Sequence, residues 1–184
     1  VDAPLLKEAI DSSLDELREW MPWAHDEPSS VEELIERLRE FRGAFDCDDD
    51  YLYGVFDPGE MKVLGGTGLH PRIGPHGREI GYWIHADHHG RGYATEAADA
   101  LVRTGFEHEE LDRIEIRCAP DNHASARIPE KLGFTHEATL RRRLEEPDGN
   151  LRDTEVFTLF ADAYPDSPAT EYDVNLYDVR GHEI

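Results

Sequence analysis

Lysine is nearly absent from this chain. Only Lys7, Lys62 and Lys131 occur, every other basic residue is arginine, and 19 basic side chains face 41 carboxylates for a formal charge of -22. No basic face is visible, which argues against the electrostatic footprint of a nucleic-acid binder. Long apolar runs are missing as well. None approaches the ~20 residues needed to span a bilayer, and no secretory signal pattern is present. The expectation is a cytoplasmic protein with neither a nucleic-acid nor a membrane partner. Cysteine is scarce: Cys47 and Cys118 stand far apart and form no C-x-x-C pair. A thiolate zinc site is therefore not expected, and Cys118, inside an apparent strand, reads as a small buried apolar residue.

What is present is carboxylate. Apart from Asp48-Asp49-Asp50 the acids are scattered, which reads as a solvated surface adapted to high salt rather than an acidic tail. The expected source is a halophile. Near 1 M salt the Debye length is about 3 Å, so a polyanionic ligand must be held by short-range donors built into its site. The 184 residues suit one domain, and a hydrophobic content of 39 % spread along the chain supports a core.

Residues 5 to 20 read as a helix. Ser30 with Glu33 forms a capping-box pattern, and Val31, Leu34, Ile35 and Leu38 recur at helical spacing, predicting a second helix over 31–43. The bend Trp20-Met21-Pro22-Trp23 separates the two. Strands are predicted over 51–56, 61–70 and 79–85, with Asp57-Pro58-Gly59-Glu60 as the first turn. Gly65, Gly66 and Gly68 in the second strand weaken it or let another backbone approach. A helix over 93–109, a strand over 113–118, a helix over 122–132 and a hairpin of 134–145 with 151–161 complete a mixed α/β domain. The domain is placed at 1–162. Residues 163–184 read as a tail, with Tyr172 to Val179 patterned as an added edge strand.

The most informative unit runs from Gly81-Tyr82-Trp83-Ile84-His85 through Asp87-His88-His89-Gly90-Arg91-Gly92-Tyr93-Ala94-Thr95. Two glycines opening a helix let backbone amides approach an anion, and the helix dipole favours phosphate there. A triphosphate loop would need a following Lys-Ser/Thr, which is missing. A dinucleotide loop would need a third glycine where Thr95 stands. Coenzyme A, with its pyrophosphate, meets the same physics.

Asp87-His88-His89-Gly90-Arg91-Gly92 resembles the [Q/R]-x-x-G-x-[G/A] motif of the GNAT acetyltransferase superfamily, with Asp87 departing from the usual Gln or Arg. Glu79-Ile80-Gly81-Tyr82-Trp83-Ile84, Asn122-His123-Ala124-Ser125, Glu130-Lys131-Leu132-Gly133-Phe134 and Glu16-Leu17-Arg18-Glu19-Trp20-Met21-Pro22-Trp23 are similar to the ribosomal-protein N-terminal acetyltransferases of RimJ/RimL type. The resemblance covers about residues 5 to 160. It implies a mixed, mostly antiparallel sheet with a central V-shaped split, flanked by helices, and acetyl-CoA as cofactor. It places the pyrophosphate on the amides of Gly90, Arg91, Gly92, Tyr93, Ala94 and Thr95. The pantetheine arm would lie along an open strand edge at Trp83, Ile84 and His85, with Asn122 bonding it and Ser125 near the thioester. The family usually begins with a strand before its first helix, so an N-terminal segment is expected outside this sequence.

Acetyl transfer to an amine needs a neutral amine, a polarised carbonyl and a proton for the departing thiolate. Neutralising an α-amine at pH 7 costs about 1 kcal/mol, and a lysine about 4 to 5 kcal/mol. A nearby carboxylate or imidazole assists, and a strand amide stabilises the oxyanion. Glu79 is the candidate base, His70 its reserve, and Ser125 the candidate thiolate donor. Tyr93 reads also as a packing residue, and Arg91 as a second phosphate contact. His85, Asp87, His88 and His89 lack the spacing of a closed metal site, so no metal is expected. Arg141-Arg142-Arg143 should alternate faces of a strand. The acceptor is expected to be a primary amine, such as the N-terminus of a ribosomal protein. A small-molecule amine and a non-catalytic CoA-binding module stay open as alternatives, as do monomer and homodimer.

Overall fold

The computed structural model describes residues 2–146, 149–170, 174–177 and 182. Helix α1 (Ala3–Trp20) ends where Met21 turns extended ahead of Pro22, whose ring cannot continue the helix, and a short 3-10 turn, Pro22–Asp26, follows. Helix α2 (Val31–Asp46) starts at the expected capping box. Ser30 accepts from the Glu33 amide, and the Glu33 carboxylate accepts from the Ser30 amide at 2.7 Å. Strands β1 (Tyr51–Phe56), β2 (Val63–His70) and β3 (Gly77–Ile84) then form an antiparallel meander. Helix α3 (Tyr93–Glu107), β4 (Arg113–Cys118), α4 (His123–Lys131) and the hairpin of β5 (Thr135–Glu145) with β6 (Leu151–Phe160) complete the order. Helix α4 stops at Gly133, whose φ of 82° lets the Phe134 amide turn back to the Pro129 carbonyl at 3.0 Å.

The sheet order is β1-β2-β3-β4-β6-β5, with β3 and β4 parallel and every other pair antiparallel. This is the mixed, mostly antiparallel sheet expected. The β3–β4 ladder ends early. It joins Gly77–Ile80 to Arg113–Ile116 and then stops, although β3 continues to Ile84 and β4 to Cys118. Past Ile80 the two strands part, which is the split.

Strand alternation gives the sheet two unlike faces. One carries Leu69, Ile80, Ile114, Ile116, Phe157 and Leu159, all buried beneath Ala98, Leu101 and Val102 of α3. Each fully buried aliphatic there contributes about 1.5–3 kcal/mol. The other carries His70, Glu79 and Glu115 side by side in register, with Arg117 two residues along β4. A second apolar cluster, Ile10, Leu17, Ala24 and Leu34, holds α1, the 3-10 turn and α2 together, and Trp83 leans into it.

Two expectations along the chain change. Arg141 to Arg143 do not alternate: Arg142 takes φ 54°, its amide donates to Asp153 Oδ1 at 2.8 Å, and the β5–β6 register slips between Leu140 and Leu144. A bulge has replaced regular pleating. Residues 164–170 form two 3-10 turns, and their Tyr164 and Ala169 join the main core, Tyr164 stacking on Phe106 at 4.9 Å. Of the expected edge strand over 172–179, residues 172, 173, 178 and 179 lie outside the described residues. Tyr177 makes an isolated bridge.

Candidate active site

Gly90 and Gly92 take φ of 72° and 91°, and among the described residues no atom beyond the chain neighbours lies within 4 Å of where a Cβ would stand on either. Gly92 caps α3, and the first intrahelical donor is Glu96, bonding the Gly92 carbonyl at 3.0 Å. The amides from Gly90 to Thr95 donate to no backbone carbonyl among the described residues. They border an open hollow at Gly90 and Gly92, at the positive end of a 15-residue helix, an arrangement that can cradle an anion. Arg91 folds back on the motif, its Nη2 donating to the Asp87 carbonyl at 3.0 Å. Asp87 serves the loop through its backbone, its amide bonding His85 Nδ1 at 3.1 Å.

The cradle abuts the open edge of β3. From Gly81 to Ile84 this strand has β2 on one side and, among the described residues, no strand on the other, so alternate backbone groups face the split without a ladder partner. His89 Nε2 meets the Ile84 carbonyl at 2.8 Å, tying the loop to the strand end. Across the split, Asn122 caps α4, its Oδ1 accepting from the Ser125 amide at 3.0 Å. The hollow, the open edge and a capping asparagine therefore meet in one place, as a long ligand with an anionic head and an amide-bearing arm requires.

Ser125 does not stand alone. Its hydroxyl lies 3.0 Å from the Tyr82 hydroxyl, which also reaches the Ser125 carbonyl at 3.2 Å. Burial pushes the Tyr82 phenol well above its ordinary range, so it stays protonated as a donor. Cys118 adjoins the same hydroxyl. Burial, reinforced by the Glu155 carboxylate, raises its thiol to about 11, so it is neutral, as expected of a packing residue. Tyr82 gained no role from the sequence. It shares the α3 face of β3 with Ile80, and only the convergence of β3 and α4 brings it to Ser125.

Glu79 lies on the opposite face, just before the split. Its carboxylate sits 3.6 Å from Arg72 Nη1 and 3.8 Å from Arg117 Nε. His70, its register partner on β2, is buried and holds Asp50 Oδ1 at 2.7 Å through Nδ1. Beyond them Trp83 meets Trp23 edge to face at 6.2 Å. Among the described residues no group of three or more His, Cys, Asp or Glu is placed to hold a metal ion.

A cleft of about 410 Å³ opens between the end of α1 with its 3-10 turn and the β5–β6 hairpin. Arg18, Glu19, Trp20, Met21, Pro22 and His25 line one side, and Leu144, Glu145, Glu146 and Arg152 the other. Arg152 straps the walls together. It pairs with Glu146 at 2.7 Å, donates to the Glu19 carbonyl at 3.2 Å, and lies 5.4 Å over the Trp20 ring.

A split sheet with an amide cradle at the foot of its open strand defines an acyl-CoA-dependent transferase. The family description "Acetyltransferase (GNAT) domain" matches residues 2–135, and the chain belongs to that family, whose acyl donor is acetyl-CoA. The chain is similar to the probable N-acetyltransferase YjcK of Bacillus subtilis, with 30 % identity over 122 residues covering 65 % of this chain and 67 % of that protein. It is also similar to the putative ribosomal N-acetyltransferase YdaF of the same organism, 30 % identical over 146 residues and 76 % of each chain. Among solved structures, RimJ of Mycobacterium smegmatis in complex with CoA-disulfide superposes with a TM-score of 0.79 at 24 % identity, over 92 % of this chain and 82 % of that one. The protein is thus an N-acetyltransferase of GNAT type.

Proposed function

We propose that the chain transfers an acetyl group from acetyl-CoA directly to the α-amino group of a protein N-terminus. The observation that carries the direct route is the arrangement at the split. The open edge of β3, where the acyl group would be held, is flanked by Tyr82 and Ser125 on one face and by Glu79 and His70 on the other. Acceptor and thiol sides are thus separated by the strand itself, and no nucleophile of lowered pKa stands between them, since the Cys118 thiol is raised.

Acetyl-CoA supplies an activated acyl thioester. The amides of Gly90, Arg91, Gly92, Tyr93, Ala94 and Thr95 hold its pyrophosphate, with the Arg91 guanidinium nearby. The edge at Ile84 and His85, together with Asn122, holds the arm. An unpaired amide of β3 polarises the carbonyl. Ser125, backed by the Tyr82 hydroxyl, gives a proton to the sulfur. Glu79 provides the counter-charge that draws the amine to the split.

Three considerations favour an N-terminus as acceptor. YdaF is named as a putative ribosomal N-acetyltransferase. The cleft between α1 and the hairpin is open at the surface and large enough for a few residues of chain, and it presents Glu19 and Glu145 beside the Arg152–Glu146 pair. An α-amine also needs about 1 kcal/mol to become neutral at pH 7, against about 4 to 5 for a lysine. The test is a panel of peptides with free or blocked N-termini, lysine-only peptides and small polyamines, incubated with acetyl-CoA in molar salt and read by mass spectrometry. Acetylation confined to free N-termini is expected. Preferential acetylation of the small amines would overturn the acceptor.

A further inference from the structure

We infer that His70, oriented by Asp50, is the group that takes the proton from the attacking amine, with Glu79 as its electrostatic neighbour. This rests on the acetyltransferase reading above and names the base within it.

The argument begins with where the imidazole lies. His70 ends β2, two residues after Gly68 and on the same face of the strand. A Cβ on Gly68 would stand 2.6 Å from its Nε2, so the ring occupies the space that a side chain at 68 would fill. A Cβ on Gly81, the residue opposite Gly68 in register, would stand 3.4 Å from the same Nε2. Gly81 is the first residue of β3 beyond the last pair with β4, which is Ile80 with Ile116. The Nε2 atom is therefore laid over two bare backbones at the apex of the split, beside the edge that faces the acyl group. Two residues further along β3, Trp83 covers Gly66 in the same manner, and its Nε1 would meet a Cβ there at 2.6 Å. Imidazole and indole thus lie side by side over the bare backbone of Gly66, Gly68 and Gly81.

The tautomer follows from the partner. Nδ1 lies 2.7 Å from the Asp50 carboxylate, which can only accept, so Nδ1 carries the hydrogen and Nε2 presents its lone pair. Nε2 has no hydrogen-bond partner among the described residues. A base with its second nitrogen fixed by a carboxylate and its first aimed at the reacting edge is the arrangement that proton abstraction needs. Glu79, the base expected from the sequence, has two guanidiniums within 4 Å of its carboxylate, whereas His70 Nε2 is left open by its partner on Nδ1.

The charged groups that face the ring are Asp50 just before β1, Arg72 just past β2, and Glu79 from β3. Burial first, then Arg72, lowers the imidazole pKa, while Asp50 and Glu79 oppose them; the net direction is down. The ring is accordingly neutral at pH 7. As the amine nitrogen bonds to the acyl carbon, the carbon–sulfur bond breaks with its electron pair going to sulfur. The surplus amine proton passes to Nε2, and the sulfur takes a proton from the Ser125 hydroxyl, which solvent restores. The imidazolium then releases its proton to solvent.

The test uses the full chain in molar salt with acetyl-CoA and a peptide bearing a free N-terminus. His70→Asn keeps a donor for Asp50 but removes the base. It should lower kcat at least ~100-fold while the acetyl-CoA Kd, measured by calorimetry, stays within about two-fold. His70→Gln, a second shape, should do the same. Asp50→Asn should lower kcat about ten-fold with little change in KM. Nitrogen NMR of the imidazole, recorded without acetyl-CoA, gives a readout apart from turnover. The wild type should show a protonated Nδ1 and bare Nε2 at pH 7, and Asp50→Asn should mix the tautomers. The wild-type kcat profile should fall on an acid limb below pH 6.5 that both His70 variants lack. Either His70 variant retaining more than about a third of wild-type kcat with that limb intact would overturn the assignment of His70 alone. A wild type that binds acetyl-CoA yet acetylates no amine would overturn the functional reading on which it stands.

Discussion

The two faces of β3 are one strand put to opposite uses. Facing α3, Ile80 lies buried among Leu69, Ile116 and the helix, and Ile84 is buried at the strand's end, with the Tyr82 hydroxyl between them reaching Ser125. Facing the other way, Glu79 sits between arginines, Gly81 is bare, and Trp83 covers the neighbouring strand. The first face earns stability from burial; the second holds charges whose mutual attraction is worth little in molar salt.

That contrast can be broken from either side. The largest effect is expected on the apolar face. Ile80→Ala, at a site 1 % exposed, should destabilise the fold by about 3–4 kcal/mol, read as a shift of the urea midpoint at constant salt. A buried charge on the same side gives the next. Asp99 in α3 is fully buried, neither oxygen has a hydrogen-bond partner among the described residues, and burial raises its carboxyl to about 6 despite Arg103. A raised folded value means the protonated form is favoured. Its contribution is complete below the ordinary carboxylate value near 4 and is lost as pH rises through 6, by about 2–3 kcal/mol in all. Asp99→Asn should therefore gain on the wild type as pH rises from 5 to 8, in paired urea titrations. A gap that stays constant with pH would show that Asp99 does not titrate in that range.

The cradle should respond more gently. Gly92→Ala, at φ 91° with open space around it, should cost about 1 kcal/mol of stability through backbone strain alone and weaken acetyl-CoA several-fold by calorimetry. The smallest effect belongs to the polar face. Glu79→Gln should change stability by less than about 1 kcal/mol, since its partners lie at 3.6 and 3.8 Å. A larger loss would mean that the ion network, and not only the α3 face, holds the sheet.

Much of this was legible beforehand, for local reasons. The capping box at Ser30, the proline stop after Trp20 and the turn residues Asp57-Pro58-Gly59-Glu60 are short-range signals, and the element bounds beside them agree to within a few residues. The glycine pair at 90 and 92 announced a cradle because only glycine takes those φ values freely. The bulge at Arg142 was not readable, because three arginines in a strand carry no mark of register. Nor was the link between Tyr82 and Ser125, whose partners stand 43 residues apart, or that between Asp50 and His70, where the acid run looked like surface.

The resemblance of its motifs to a known family, not its local physics, pointed to an acyl-CoA-dependent transferase; by itself the sequence determined which segments become helix or strand and where two glycines free the amides at a helix start. Those follow from periodicity, caps and backbone permissiveness, all of which act over a few residues. Only the tertiary structure decided where β3 parts from β4, which side chains line each side of that opening, and that an imidazole lies across Gly68 and Gly81 at its apex. Such facts depend on strand register and on how far two ladders run before they diverge, and no single segment encodes either.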